Sequence, residues 1–364
     1  MWILEIHVNT PVEQLVAQYL RTQPAEGVSS RELVRRAIEF RRPSRIPFST
    51  TVPWGGDFFD PYILGLLISR NAPEKPAVGT RYYDEWGVGF QVTGREWDHP
   101  FDCPLQDLRR LDAYRFPSVS AERDYRVALP YLPRACDNGK YILGRDPIIM
   151  IERLRWLMGF EALMTAAYDY PAELVAVIDR LTEMTIEAVE FWASLGLVDA
   201  FVTPQDWGLQ TSLQMRPAMF RQHFKSHYRR VAEACHRHGM RFIWHSCGWI
   251  LDIIPDIIEV GTDVLQLDQP QLLGHRRLAE AFGGQITFWN SVDIVWLAQP
   301  DVERSAAEVE AEVENMARPF DRFGGGFMFR QYSAPWSLNI PDMSLQAATA
   351  AFLRYRPHAT RGQP

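Results

Sequence analysis

The chain has 364 residues, 47% of them hydrophobic and 23% charged, with a formal net charge of −7, enough for one large α/β barrel with insertions or for two ordinary domains. The acidic balance and the lack of a dense Lys/Arg run with interleaved aromatics argue against a polyanion-binding surface, so no nucleic-acid partner is expected. No apolar run approaches the roughly 18 residues of a membrane span, and the four cysteines, Cys103, Cys136, Cys235 and Cys247, include no C-x-x-C pair, which together point to a cytoplasmic protein without membrane attachment or targeting segment.

Residues 11 to 40 read as helices, with Val12, Leu15, Val16 and Leu20 on one stripe. Ser29 or Ser30 is the expected N-cap of the second, and Pro43 in the basic cluster Arg41 to Arg45 stops it. Ile46 to Val52 is a candidate first strand, followed by a loop with Trp54, Gly55, Gly56 and Asp57. The stretch from about 72 to 118 is Pro-rich and aromatic, and Tyr82 to Val92 alternates as a hairpin would. The expected organisation is therefore a helical segment over 1–45 packing on a single barrel domain over 46–364, with an insertion around 72–118.

After a helix over 121–137, Lys140 to Gly144 reads as a buried strand, and long helices follow between Ile151 and Leu195. Strands are then predicted at 198–203, 240–245, 263–267, 285–289 and 325–329, alternating with helices at 219–237, 250–259, 275–282, 306–320 and 345–355. Such alternation implies βαβ units and a parallel sheet, and its length favours an α/β fold of the closed (β/α)8 TIM-type barrel over an open sheet. No G-x-G-x-x-G or P-loop pattern supports nucleotide chemistry.

In such a barrel, strand ends and the loops after them line the active-site mouth. That rule selects Gln205, Asp206, Trp207 and Gln210, then His245, Cys247 and Trp249, then Asp268 and Gln269, then Asn290 and Asp293, then Arg330, Gln331 and Tyr332. His245 and Cys247 fall on one face of a strand end, and imidazole and thiolate are common zinc ligands. The same residues also read as a hydrogen-bonded His and a packed Cys, and Asp206 or Asp293 as a turn or helix cap. Trp54, Trp207, Trp249, Trp289 and Trp336 suit a flat ligand at the rim, or core packing.

An ordered set of motifs carries a resemblance. Glu32-Leu-Val-Arg-Arg-Ala-Ile-Glu-Phe-Arg-Arg-Pro-Ser-Arg-Ile-Pro47, Asp84-Glu-Trp-Gly-Val88, Gln205-Asp-Trp-Gly208, His245-Ser-Cys-Gly248 with Ile254-Pro-Asp-Ile-Ile-Glu-Val-Gly-Thr-Asp263, and Gly324-Gly-Gly-Phe327 resemble the uroporphyrinogen decarboxylase-like superfamily over about residues 30 to 355. The resemblance implies a (β/α)8 barrel with its site at the C-terminal mouth, in a group that holds haem-pathway decarboxylases and cobalamin-linked methyltransferases. The decarboxylases share an Arg-Gln-Ala-Gly-Arg segment whose arginines bind substrate carboxylates. Here Thr51-Val-Pro-Trp-Gly-Gly-Asp57 stands in its place, with neither arginine.

The methyltransferase branch resembles this chain through His-x-Cys, which there supplies two zinc ligands, a later Cys being the third. No Cys follows Cys247, so the third ligand is sought among Asp206, Asp268, Asp293 and the distant Cys103. The resemblance thus implies a corrinoid-linked methyltransferase that exchanges a methyl group between a small methoxylated or methylamine-like substrate and a cobalamin on a partner protein. Its expected parts are zinc on His245 and Cys247, Asp206 or Asp293 as acid or orienting group, and Trp54, Trp207, Gln210, Trp249, Asn290, Arg330 and Gln331 around the substrate. Members are often homodimers. Two alternatives stay open: a metal-independent decarboxylase of a smaller acid, with Arg330 and Asp206 on the carboxylate, and a barrel that binds a corrinoid or tetrapyrrole without catalysis.

Overall fold

The computed structural model describes residues 12–20, 27–50, 55–64, 77–94, 98–299 and 302–357. In chain order its strands are β1 (Phe48–Ser49), β2 (Phe58–Phe59), β3 (Arg81–Tyr83), β4 (Gly89–Gln91), β5 (His99–Asp102), β6 (Tyr141–Arg145), β7 (Ala200–Pro204), β8 (Arg241–Ser246), β9 (Val264–Leu267), β10 (Thr287–Ser291) and β11 (Phe327–Arg330). Eight of these pair in parallel in the order β1-β11-β10-β9-β8-β7-β6-β2. The Asp57 N–H donates to the Phe48 carbonyl at 2.8 Å across the seam between β1 and β2. With helices between the strands from β6 onward, this is a (β/α)8 barrel.

Alternation along the strands divides two cores. Tyr141, Leu143, Ala200, Val202, Ile243, Val264, Trp289 and Met328 point into the barrel and form one cluster. Ile142, Phe201, Phe242, Trp244, Leu265, Leu267, Phe288, Phe327 and Phe329 belong to the outer layer under the helices.

Two helices precede β1: α1 (Val12–Tyr19) and α2 (Ser30–Ile38). Ser29 caps α2, its hydroxyl accepting from the Glu32 N–H at 3.2 Å. Val34, Ala37 and Ile38 of α2 join the inner cluster and so close the barrel at the starts of its strands. Burying Val34 and Ile38 contributes on the order of 1.5–3 kcal/mol each. The chain passes beneath the end of α2 at Gly324-Gly-Gly326, where a Cβ on Gly326 would lie 2.3 Å from the Phe40 ring. Only glycine admits so close an approach, and the Gly326 N–H donates to the Ala37 carbonyl at 2.7 Å.

The aromatic stretch forms the antiparallel sheet β3-β4-β5. It is fastened to the barrel by Arg153, which is buried between the rings of Trp86 and Trp156 at 4.3 and 4.8 Å and donates to Asp84 at 3.3 Å. Two expectations change. The helix expected over 121–137 is three short pieces, Ala121–Asp124, Leu129–Tyr131 and Leu132–Asp137, because Pro130 and Pro133 each remove a backbone donor. β10 and β11 also begin two residues later than their alternation suggests, which brings Asn290, Ser291 and Arg330 into strands.

Candidate metal centre

His245 lies near the end of β8 with the parity of Ile243, an inward-facing residue. β7 pairs with β8 so that Pro204 stands beside His245, and the Gln205 N–H donates to the His245 carbonyl at 2.8 Å. The next residue, Asp206, is thereby delivered to the imidazole. Its Oδ1 is 3.4 Å from His245 Nε2 and accepts the Cys247 N–H at 2.7 Å, while Cys247 Sγ is 3.6 Å from the same Nε2. Among the described residues, these three alone gather as a potential metal-ligand group, with their ligand atoms all within 4.8 Å of one another.

The separations fit zinc. Bonds of about 2.3 Å to sulfur and about 2.0 to 2.1 Å to nitrogen and oxygen, at a tetrahedral angle, set sulfur about 3.6 Å and oxygen about 3.4 Å from nitrogen. Those are the edges found at His245 Nε2. A thiolate and a carboxylate would also offset the charge of a divalent ion.

The loops carrying these candidate ligands are held back to back. A Cβ on Gly208 would lie 2.5 Å from the Gly248 carbonyl carbon, and one on Gly248 would lie 2.5 Å from that of Gly208. Gly248 also has φ 76°. Neither position tolerates a side chain. The Trp249 N–H donates to the Leu209 carbonyl at 2.7 Å and the Gly248 N–H to Gln269 Oε1 at 2.9 Å. Glu152 Oε1 accepts the Asp206 N–H at 3.2 Å.

Electrostatics follow from this packing. Burial disfavours the charged imidazole, but the hydrogen bond and charge of Asp206, with Asp268 behind, raise His245 above its ordinary value. Burial would raise Asp206, yet His245 and the Cys247 N–H hold it below the usual carboxylate range. Asp268 likewise stays low despite burial, because Arg330, His245 and Ser291 favour its anion. Asp268 Oδ2 faces His245 Nδ1 at 4.0 Å, and Nδ1 has no hydrogen-bond partner. Burial pushes Glu152 up to about 8 against the pull of Arg155, with Asp206 adding to the rise, and its Oε2 has no partner. Glu152 escapes a search of strand ends because it sits in the helix Met150–Met158 after β6; its place in that helix's first turn, beside the mouth, is the signal that points to it.

The structure brings Asp206, His245, Cys247, Asp268 and Arg330 together and places the other candidates elsewhere. Asp293 caps the helix Ile294–Leu297, accepting from Val295, Trp296 and Gln271 N–H groups. Gln331 anchors the closing helix through the Leu345 carbonyl at 2.7 Å and the Thr349 hydroxyl. Asn290 is fully buried on the parity of Phe288, toward the helices, with neither amide atom bonded. Trp207 is buried against Phe220 and Phe224, and Trp289 stacks on Phe58 inside the barrel. At the rim, Trp249 donates to Asp252 at 3.0 Å, Gln210 is exposed and accepts from Gln269 at 3.4 Å, and Trp336 is half-buried. Cys103 lies outside the triad, near Gly159. Trp54 falls outside the described residues.

Residues 155–322 match the family described as uroporphyrinogen decarboxylase. Over that stretch the chain is similar to uroporphyrinogen decarboxylase. The match takes in Asp206, His245, Cys247 and Asp268. Among solved structures, a methyltransferase from Methanosarcina mazei is similar over 89% of this chain and 98% of its own, at 17% identity and a TM-score of 0.60, a likeness of fold. A D-psicose 3-epimerase aligns over 68% of this chain and 85% of its own, at 11% identity and a TM-score of 0.38. No curated protein matches the sequence. Among the described residues, no helix of the barrel is long and apolar enough to cross a membrane.

Proposed function

We propose that this protein is a zinc-assisted methyltransferase, which moves a methyl group from a small methylated substrate to or from a cobalamin carried by a partner protein. The observation that carries the reading is the convergence of His245 Nε2, Cys247 Sγ and Asp206 Oδ1, with the sulfur and the oxygen 3.6 and 3.4 Å from Nε2. A methyl ether or amine leaves behind a strongly basic atom, and zinc bound to these three residues would supply Lewis acidity to that atom.

The chain's own residues prepare this chemistry. His245 must present an unprotonated Nε2, so its ring proton belongs on Nδ1, the side that Asp268 faces. Arg330, Ser291 and Gln266 all donate to Asp268 Oδ1 and keep that carboxylate ionised and in place. Glu152 and Gln214 fix the Asp206 backbone, Gln214 donating to its carbonyl at 2.6 Å. The buried Trp207 excludes water behind the loop. The decarboxylase alternative would need Arg330 and Asp206 together on one carboxylate. Arg330 is engaged with Asp268, and Asp206 with His245 and the Cys247 N–H, which favours the metal reading. The four cysteines form no disulfide, which suits a reducing cytoplasm.

Metal analysis of protein produced with ample zinc should find about one ion per chain. His245→Ala and Cys247→Ala should lose both the ion and methyl transfer from methylated donors to free cobalt(I) cobalamin. Wild-type protein with far less than one ion per chain, together with undiminished transfer by His245→Ala, would remove the Lewis-acid role.

A further inference from the structure

We propose that Gln205 is the positioning residue of the His245, Cys247 and Asp206 set: its side chain caps the helix that carries Glu152, and Glu152 in return fixes where Asp206 presents its carboxylate. The inference rests on the metal reading above and adds to it the residue that sets the geometry.

The helix Met150–Met158 begins without a cap of its own. Its N-cap position is Ile149, whose side chain has no atom to accept the N–H groups of the first turn. Ile149 also stands at φ 47° and ψ 65°, a left-handed conformation in which a β-branched residue is strained. The missing acceptor comes from β7. Gln205, 1% exposed, follows that strand, and its Oε1 accepts the Ile151 N–H at 3.0 Å. An N–H can only donate, so this bond identifies the amide oxygen, and the Tyr228 hydroxyl donates to the same atom at 2.7 Å. On the other side of the amide, Nε2 donates to Thr203 Oγ1 at 2.7 Å, the Thr203 hydroxyl donates to Asp146 Oδ2 at 2.7 Å, and Asp146 Oδ1 accepts the Ile148 N–H at 2.8 Å. The strained turn is thus held on both flanks by one chain of side chains that starts at Gln205.

What this turn holds lies next to the candidate ligands. Gln205 fixes Ile151, and the following residue, Glu152, accepts at 3.2 Å the N–H of Asp206, the residue after Gln205. Two neighbours on each segment hold two neighbours on the other, a reciprocal pair like a capping box, here between a strand end and a separate helix. Asp206 Oδ1 takes the Cys247 N–H at 2.7 Å, and the Gln205 N–H itself donates to the His245 carbonyl at 2.8 Å. Bonds from one residue therefore reach His245 directly, and Cys247 through Glu152 and Asp206. A strained turn capped from another strand is costly by itself, and what it gains is a fixed place for Glu152 beside Asp206.

Zinc affinity, measured by competition with a chelator, and the thiolate-to-metal charge-transfer band of the cobalt(II) form read this geometry separately from stability. Gln205→Met, close in shape but without the amide, should weaken zinc binding about 10-fold or more and shift the band. Tyr228→Phe removes the other bond to the same oxygen but leaves the cap, and should stay within about 3-fold of wild type. A merely structural tie would lower the melting temperature of both variants and leave the zinc affinity of the folded protein alone. Glu152 supplies a second pair. Glu152→Gln keeps an acceptor for the Asp206 N–H and should retain zinc, whereas Glu152→Met should lose as much as Gln205→Met, with no further loss in the double variant. Unchanged zinc affinity in folded Gln205→Met, or an equal loss in Tyr228→Phe, would overturn the inference; should Gln205→Met not fold, equal affinity in Glu152→Gln and Glu152→Met would do so. The brace can also be followed without metal, as the rate at which iodoacetamide alkylates Cys247, resolved from the other cysteines by peptide mass spectrometry. If the wild type never loads zinc, a rise of about 3-fold or more in Gln205→Met would uphold the positioning role and sink only the metal reading, and no rise would overturn both.

Discussion

The two ends of the barrel use the same residue types to opposite ends. Below, where the strands begin, three acids are saturated. Asp199 accepts from Arg31, Arg35 and the Ile142 N–H; Asp263 from Arg241, His236 and the Phe242 N–H; Asp57 from Arg45, Ser30 and the Phe48 N–H. At the mouth, His245 Nδ1 and Glu152 Oε2 have no hydrogen-bond partner, and His245, Cys247 and Asp206 converge on one another. Saturated carboxylates hold a fold together. Under-satisfied ones mark where a ligand completes the set.

The sharpest way to break this contrast is to remove one group from each end. Cys247→Ala should abolish zinc retention and methyl transfer while leaving urea stability of the metal-free protein within about 1 kcal/mol, since the half-buried thiol makes little of the core. Asp57→Ala should do the reverse. It leaves the Arg45 guanidinium buried without its carboxylate and frees the Phe48 N–H at the seam, for a loss of about 3–5 kcal/mol in denaturant melts.

A smaller effect is a difference in the sign of pH dependence. Burial opposes ionisation of Asp263, but His236, the Phe242 N–H and Arg241 prevail and hold it below its ordinary value. Its stabilising contribution is therefore complete above the unfolded carboxylate value and is lost as pH falls through the lower folded one, and Asp263→Asn should flatten the acid limb of stability. Glu152 runs the other way. Burial raises it to about 8, so the folded protein holds a proton that the unfolded chain releases, and stability should fall as pH rises from the ordinary glutamate value toward 8. Melts of Glu152→Gln across that window should show the slope removed.

The smallest expected change is Arg35→Ala at the lower end, about 0.5 kcal/mol or less, because Arg35 is 47% exposed at its side chain and Arg31 remains on Asp199. A loss as large as that of Asp57→Ala would show that the lower ion pairs act as one network.

The sequence was most legible where local pattern and structure agree. The strand–helix alternation after residue 140 predicted a barrel because the period of two and the glycine corners are local properties. His245 and Cys247 were legible as a pair because two residues apart on one strand end share a face. Asn290 was misread in orientation, since β10 continues to Ser291 and its alternation turns Asn290 toward the helices. Asp293 and Gln331 show the ordinary alternative for polar loop residues, a helix cap and a tie to the closing helix.

What the sequence by itself determined is thus the strand and helix order and a two-residue candidate ligand motif, both written in spacings of a few residues. The third candidate ligand was a tertiary decision. Asp206 is 39 residues from His245, and what brings its carboxylate to 3.4 Å is the register of β7 on β8, the contact of Gly208 with Gly248 that no side chain could enter, and the Glu152 carboxylate on the Asp206 N–H. Those are relations between loops from different strands, and only the closed barrel sets the distances among them.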